Sequence, residues 1–187
     1  MKSVLISIQP KWCELIASGK KTVEVRKTAP KLELPFKVYI YCTQDKKHCL
    51  DDGKRRLNGK VMGEFVCDIV EPYWFMPGDT DVEQFEDVQL SCLSAKEILD
   101  YGNGKQLYFW NISNLVIYDE PKALDEFCIE DKSPCDNRER VYQSPEYNPT
   151  GGLIFGGSYC RESGDWCKRC KTKPLNRPPQ SWCYVEG

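Results

Sequence analysis

The last third of the chain limits the fold more than any other feature. Residues 131–187 hold Pro134, Pro145, Pro149, Pro174, Pro178 and Pro179, together with Gly151, Gly152, Gly156 and Gly157, and almost no periodic apolar pattern. Such a segment cannot build a core of its own, so burial has to come from the residues before it. It is also too long for an ordinary connection and needs a staple, a partner, or disorder. The chain therefore divides into a body over residues 1–130 and an irregular Cys/Pro/Gly-rich extension over 131–187, docked on that body.

The body reads as strand-rich. Val4, Ile6 and Ile8 alternate as in a strand, and Pro10 then suits a first helical turn. Trp12, Leu15 and Ile16 recur at helical spacing, with Gly19 as the stop. Thr22-Val23-Glu24-Val25-Arg26 alternates again and places Thr22, Glu24 and Arg26 on one strand face and the valines on the other. Further strands are expected at 37–42, 60–70 and 107–118, a charged turn region at 45–60, and a helix after the capping box Ser94-Ala95-Lys96-Glu97. Residues 121–127 suit one more helical turn. This order predicts a small α+β domain with mostly antiparallel pairing.

Charge is unevenly distributed. The whole chain carries −2, but residues 1–60 carry +8, residues 61–150 carry −13 and residues 151–187 carry +3. That excludes a uniformly basic nucleic-acid coat and suggests one face for an anion and another for solvent or a protein. No apolar run is long enough to span a membrane. The start, Met1-Lys2-Ser3-Val4-Leu5-Ile6-Ser7-Ile8, is too short and too soon interrupted for a signal peptide, so a cytoplasmic protein with reduced thiols is expected.

Gly19-Lys20-Lys21-Thr22-Val23-Glu24-Val25-Arg26 fits G-x-K-x-x-E-x-R and resembles the signature of the ASCH domain, a PUA-like β-barrel family. A strand like Val4–Ile8 before a short helix ending Ser18-Gly19-Lys20 is similar to that family. So is Leu107-Tyr108-Phe109-Trp110-Asn111-Ile112 followed by Pro121 and Leu124-Asp125-Glu126-Phe127. The resemblance covers residues 3–127 and implies a PUA-like small mixed β-barrel with short flanking helices. It also implies a groove for RNA or a nucleotide-like ligand, with a base extruded into a pocket. The C-terminal Pro179-Gln180-Ser181-Trp182 looks similar to segments in phage and bacterial ASCH proteins, which points to a microbial or prophage origin.

The residue chemistry suits such a ligand independently. Lysine gives phosphate a point charge, arginine a planar fork that also stacks, and glutamate an acceptor for an exocyclic amine. Lys21, Glu24, Arg26 and Thr22 are therefore the binding candidates, and an ordinary structural ion pair between Glu24 and Arg26 is the plain alternative. Tyr41 and Trp74 are candidate stacking platforms, although most strand aromatics simply belong to a core. Some ASCH proteins resemble this chain at the motif and hydrolyse an acyl amide on modified cytidine. In those a threonine nucleophile stands two residues before the arginine, with the motif lysine as base. Here that position is Glu24, and Thr22 lies about 6–7 Å further along the strand. Non-catalytic recognition is thus the preferred reading. An amidohydrolase using Lys21 on N4-acetylcytidine or a similar nucleoside is the enzyme alternative, and a protein-interaction module using the acidic face is the third.

Cys160, Cys167, Cys170 and Cys183 are spaced C-x6-C-x2-C-x12-C. A C-x-x-C turn lets two thiolates grip one ion, and two outlying cysteines complete a tetrahedral zinc site. Lys168, Arg169, Lys171 and Lys173 would offset its negative charge. Free thiols and a redox pair at Cys167/Cys170 compete with this reading, and Cys128 or Cys135 could replace one ligand. Structural zinc is the only cofactor these residues suggest. Trp182 and Tyr184 are expected to dock on the body, where they either tie the extension down or cover the cleft.

Overall fold

The computed structural model describes residues 2–45, 48, 50, 56–130 and 172–186 in full, and 138–141, 157–160 and 165–166 as backbone. Its elements run β1 (Lys2–Ile8), α1 (Pro10–Ala17), β2 (Val23–Arg26), β3 (Phe36–Cys42), β4 (Val61–Cys67), β5 (Val70–Tyr73), α2 (Glu86–Leu90), α3 (Ala95–Gly102), β6 (Leu107–Asn111), β7 (Ser113–Lys122), β8 (Cys128–Glu130), β9 (Arg138–Val141), β10 (Gly157–Cys160), β11 (Asp165–Trp166), β12 (Thr172–Pro174) and β13 (Trp182–Glu186). Short 3-10 turns lie at Val82–Gln84 and Leu124–Glu126. The fold is a mixed, sheet-dominated α+β arrangement with few short helices.

Two compact units emerge. One comprises Met1–Cys128 with Pro174–Gly187, and the other Ile129–Lys173. In the second unit β9, β10 and β11 form a three-stranded antiparallel sheet. The first unit holds everything that positions the site.

Within it the main sheet runs β13-β1-β3-β4-β7, with Cys128 of β8 paired to Glu186 of β13, and a smaller sheet has the order β2-β6-β5. β1 and β3 are parallel, joined by the crossover through α1 and β2, whereas β13 lies antiparallel on the other side of β1. The expected strand 60–70 is two strands, β4 and β5, because the chain changes sheets at Asp68-Ile69. The expected strand 107–118 likewise breaks at Ile112, where β6 leaves the small sheet and β7 joins the large one. Period-two patterning runs through such a switch unaltered, so it hides it.

Two apolar clusters divide the interior. Val4, Ile6, Ile8, Cys13, Ile16, Val38, Ile40, Met62, Phe65 and Trp110 pack between the main sheet and α1. Val23, Val25, Phe75, Val82, Val88, Ile98, Leu107 and Phe109 pack between the small sheet and the helices. Local signals make the helices. Pro10 fits the first turn of α1, where no N–H is needed, and Gly19 at φ +71° lets the chain leave it. Ser94 and Glu97 close the capping box of α3, which ends at left-handed Asn103.

Candidate functional site

Alternation along β2 sends Val23 and Val25 into the second cluster, so Glu24 and Arg26 face the other way. That other side is not open solvent. In the antiparallel register Glu24 lies opposite Trp110 and Arg26 opposite Tyr108, which turns the charged face toward the seam between the two sheets. Lys21, Glu24 and Arg26 are 2%, 6% and 8% exposed. This strand face is therefore neither wet nor solvated, because the neighbouring sheet covers it.

Three charges in so dry a place must be paired. Glu24 Oε1 lies 2.9 Å from Arg26 Nη2, and Glu24 Oε2 lies 3.3 Å from Lys21 Nζ. The Lys21 ammonium also donates to the carbonyls of Val23 at 2.8 Å and Ser91 at 2.7 Å. It is thus held by two backbone carbonyls and by the charge of one carboxylate. Arg26 Nη2 donates to the Ser7 carbonyl at 2.7 Å, and Nη1 reaches Ser181 Oγ at 3.5 Å.

Two donors stand out. Arg26 Nε and Trp110 Nε1 are buried with no partner. Both sit on the Glu24 side of the small sheet, and an unmet buried N–H costs about 1–3 kcal/mol. With two cations and one anion, the cluster also holds an excess positive charge. Trp12, half-buried, has its ring 5.4 Å from Lys21 Nζ and 4.0 Å from the exposed Lys11 Nζ. Burial pushes the Tyr101 phenol above its ordinary value, and the Arg26 guanidinium beside it acts in the opposite sense. Lys27 Nζ lies 4.7 Å from the Tyr101 ring.

The C-terminal segment forms one side of this neighbourhood. Ser7 Oγ donates to the Pro179 carbonyl at 2.7 Å, and the Ser7 N–H donates to the Ser181 carbonyl at 2.9 Å. Trp182 packs on Trp110 with centroids 6.1 Å apart and donates through Nε1 to Thr28 Oγ1 at 3.0 Å. Tyr184 stacks edge-on against Trp182, and its hydroxyl accepts from the Lys31 N–H at 2.7 Å. This segment both ties the chain end down and borders Arg26.

Other candidates fall elsewhere. Thr22 is half-buried just before β2, and its N–H donates to the Leu90 carbonyl. Tyr41 is 4% exposed on an interior strand between β1 and β4, so it is closed to solvent rather than a free platform. Trp74 is 66% exposed beyond β5, where its Nε1 donates to the Gly104 carbonyl at 3.0 Å. Among the described residues, no hydrogen bond or ion pair links Trp74 or Tyr41 to the Lys21–Glu24–Arg26 cluster. Cys183 lies on β13, a free thiol that burial pushes up to about 11. Cys167, Cys170 and the Cys160 side chain lie outside the described residues, and the described ones contain no metal-binding cluster. A groove of about 370 Å³ is rimmed by Lys2, Lys31 and Lys37 and floored by Leu32, Pro35 and Phe36.

Ser7, Trp12, Ser91, Tyr101 and Ser181 belong to the site but not to the motif. Ser91 lies 70 residues from Lys21 and Ser181 lies 155 from Arg26, so only the fold brings them together.

The match to a family model places this buried basic cluster in a domain of the PUA-like superfamily. Residues 6–115 match the family model of the ASCH domain, and the chain belongs to that family. The crystal structure of ASCH from Zymomonas mobilis is similar at 23% identity and a TM-score of 0.50, over 66% of this chain and 75% of that one. A single-residue mutant of the same protein matches at 22% identity and a TM-score of 0.51, over 67% and 78%. These likenesses establish the fold. No curated protein matches the chain. No helix among the described residues is long and apolar enough to cross a membrane.

Proposed function

We propose that this ASCH domain recognises RNA or a nucleotide-like ligand without catalysis, using Arg26 as the principal contact and Lys21 and Glu24 to hold it in place. The observation that carries the reading is the buried excess positive charge with Arg26 Nε unpartnered. An anionic or carbonyl oxygen at Nε would satisfy that donor and complement the charge. A single-stranded or extruded base supplies such an edge, and a half-buried indole at Trp12 offers it a stacking face. Exposed Lys11, Lys20 and Lys27 nearby suit the attached phosphates. RNA binding is the coarse property that family membership supports.

The non-catalytic part of the reading rests on Lys21. A general base needs a free lone pair within reach of its proton, and this ammonium donates to the Val23 and Ser91 carbonyls and is ion-paired with Glu24. The test is retention and turnover by mass spectrometry, with N4-acetylcytidine and short single-stranded RNAs as probes. Wild type should retain a panel member unchanged, and Arg26→Lys, which keeps the charge but loses Nε and the fork, should retain it at least tenfold less. Product that forms with wild type and disappears in Lys21→Arg would overturn the non-catalytic reading. Equal retention by Arg26→Lys and wild type would overturn the assignment of Arg26.

A further inference from the structure

The acidic surface after β4 carries chemistry that the Lys21–Glu24–Arg26 site does not use. From Val61 to Ala95 the chain has no lysine or arginine and eight carboxylates. The same stretch supplies Ile69, Trp74, Met76, Phe85 and Leu90, five of the eight large apolar side chains exposed among the described residues. Trp74 is 66% exposed and Met76 54%.

These side chains stand on a rigid base. Phe75, buried between Trp74 and Met76 in the chain, stacks on Tyr73 with centroids 5.7 Å apart. Phe85 meets Tyr73 and Phe75 edge-on at 5.6 and 5.4 Å, and Phe109 of the small sheet supports both. The Trp74 hydrogen bond to Gly104 fixes the indole rather than leaving it free to fold inward. A Met76 N–H to Asp79 bond pins the turn that follows.

Around this ledge Glu71, Asp79, Asp81, Glu83 and Glu86 are exposed, and Asp87 accepts from the Tyr73 hydroxyl. None of these six forms an ion pair with a described residue. Phosphates would be repelled here, while cations would be drawn in. β5 is the outer strand of its sheet, and Pro72 within it has no N–H to offer, so the edge is poorly suited to an added strand. Recognition would therefore run through side chains: apolar anchors against Trp74, Met76 and Phe85, and basic groups against the carboxylate rim.

We propose that this ledge docks a basic protein segment whose lysines or arginines are interleaved with large apolar side chains. It lies apart from the motif and does not depend on the RNA reading. An RNA-binding cluster and an acidic docking ledge on one body would let the protein hold a nucleic acid and a basic partner at once.

The experiment uses the full chain and three labelled twelve-residue peptides of alternating lysine–leucine, lysine–serine and glutamate–leucine, read by fluorescence anisotropy. The lysine–leucine peptide should bind at least tenfold tighter than the lysine–serine one, weaken as salt rises, and ignore Arg26→Lys. The glutamate–leucine peptide should not bind. Trp74→Ala with Met76→Ala should lower affinity at least tenfold while leaving the melting temperature unchanged, since both side chains are exposed. Equal binding to this double variant and to wild type, or no binding to wild type, overturns the proposal. A doubled mass in sedimentation that the double variant abolishes would make a second copy the occupant, and overturns it equally.

Discussion

Replacing Glu24 by glutamine keeps the shape of the side chain and removes the one anion between two buried cations. At 2.9 and 3.3 Å, the contacts with Arg26 and Lys21 are each worth about 5–6 kcal/mol of Coulomb energy at an effective dielectric of about 20. Against that loss stands the desolvation cost of the carboxylate, several kcal/mol, which the amide no longer incurs. The side chain is only 8% exposed, so solvent screens little of the difference. Breaking a buried pair in this way costs about 3–5 kcal/mol. For a body of this size each kcal/mol lowers Tm by roughly 3 °C, so Glu24→Gln should melt about 9–15 °C below wild type. Circular dichroism melts, checked by urea titration, measure it. A second variant isolates the cause. Lys21→Met removes one of the stranded cations, so Lys21→Met with Glu24→Gln should lose about 1–3 kcal/mol less than the sum of the single losses. A Glu24→Gln shift below about 3 °C, or strict additivity, would refute the reading of this cluster as a mutually dependent buried network.

Other perturbations test other levels of the fold. Gly63 lies where β4 crosses β7, and a Cβ there would collide with the Val116 carbonyl. Gly63→Ala should therefore cost about 1–3 kcal/mol in a thermal melt, and an unchanged Tm would show that the bulge relaxes freely. Burial alone would raise the Glu64 carboxyl, but hydrogen bonds from Lys37 and Tyr118 hold it below its ordinary 4.5; the Ser94 N–H does the same for Glu97, and the Ser113 hydroxyl holds Asp68 below 3.8. Folded carboxyls that release protons more readily than unfolded ones contribute stability that is complete above the unfolded values and is lost as pH falls through the folded ones. Urea midpoints should hence be level above pH about 5 and fall below it, less steeply in Glu64→Gln; an equal slope in that variant counts against the Lys37–Glu64–Tyr118 network. Burial holds the Cys183 thiol at about 11, so without metal its alkylation at pH 8 should be slow and rise about tenfold per pH unit. If it joins Cys160, Cys167 and Cys170 in a zinc site, protein purified without chelator should carry about one zinc per chain, and less than about 0.2 would refute that site.

The motif residues were legible because their pattern is local. Glycine at the end of α1, then alternation through Arg26, places Glu24 and Arg26 on one side of a strand whatever surrounds it. The side to which that face turns was not legible. It depends on β1, whose Ser7 carbonyl receives Arg26, and on β6, whose Trp110 lies across from Glu24. Those contacts span 19 residues in one case and most of the body in the other, beyond any local pattern. The same limit explains the two strands read as one. Residues 60–70 and 107–118 keep their alternation while passing from one sheet to the next. It also explains α2, which at five residues is too short for helical periodicity to register. The return of Trp182 and Tyr184 to the body was foreseeable from apolar residues in an otherwise polar tail. The pairing of their strand with β1 was not.

Why the charged cluster sits at the seam of two sheets follows from what an exposed one would do. On open surface a Glu–Arg pair contributes about 0–1 kcal/mol, samples many rotamers and presents no fixed geometry to a ligand. At the seam, Arg26 is fixed at Nη2 by Glu24 and the Ser7 carbonyl while Lys21 is fixed by two carbonyls and the same carboxylate. The guanidinium is then oriented before any ligand arrives, and the entropy of ordering it has been met by folding. Arg26 Nε stays buried without a partner, beside the net positive charge. On the proposed reading, such a cluster gains affinity from preorganisation rather than from the number of its contacts. Because Ser7 and Ser91 meet the cluster through their backbone carbonyls, it is shifts of β1 against β2, rather than loss of a charged partner alone, that should disorder it.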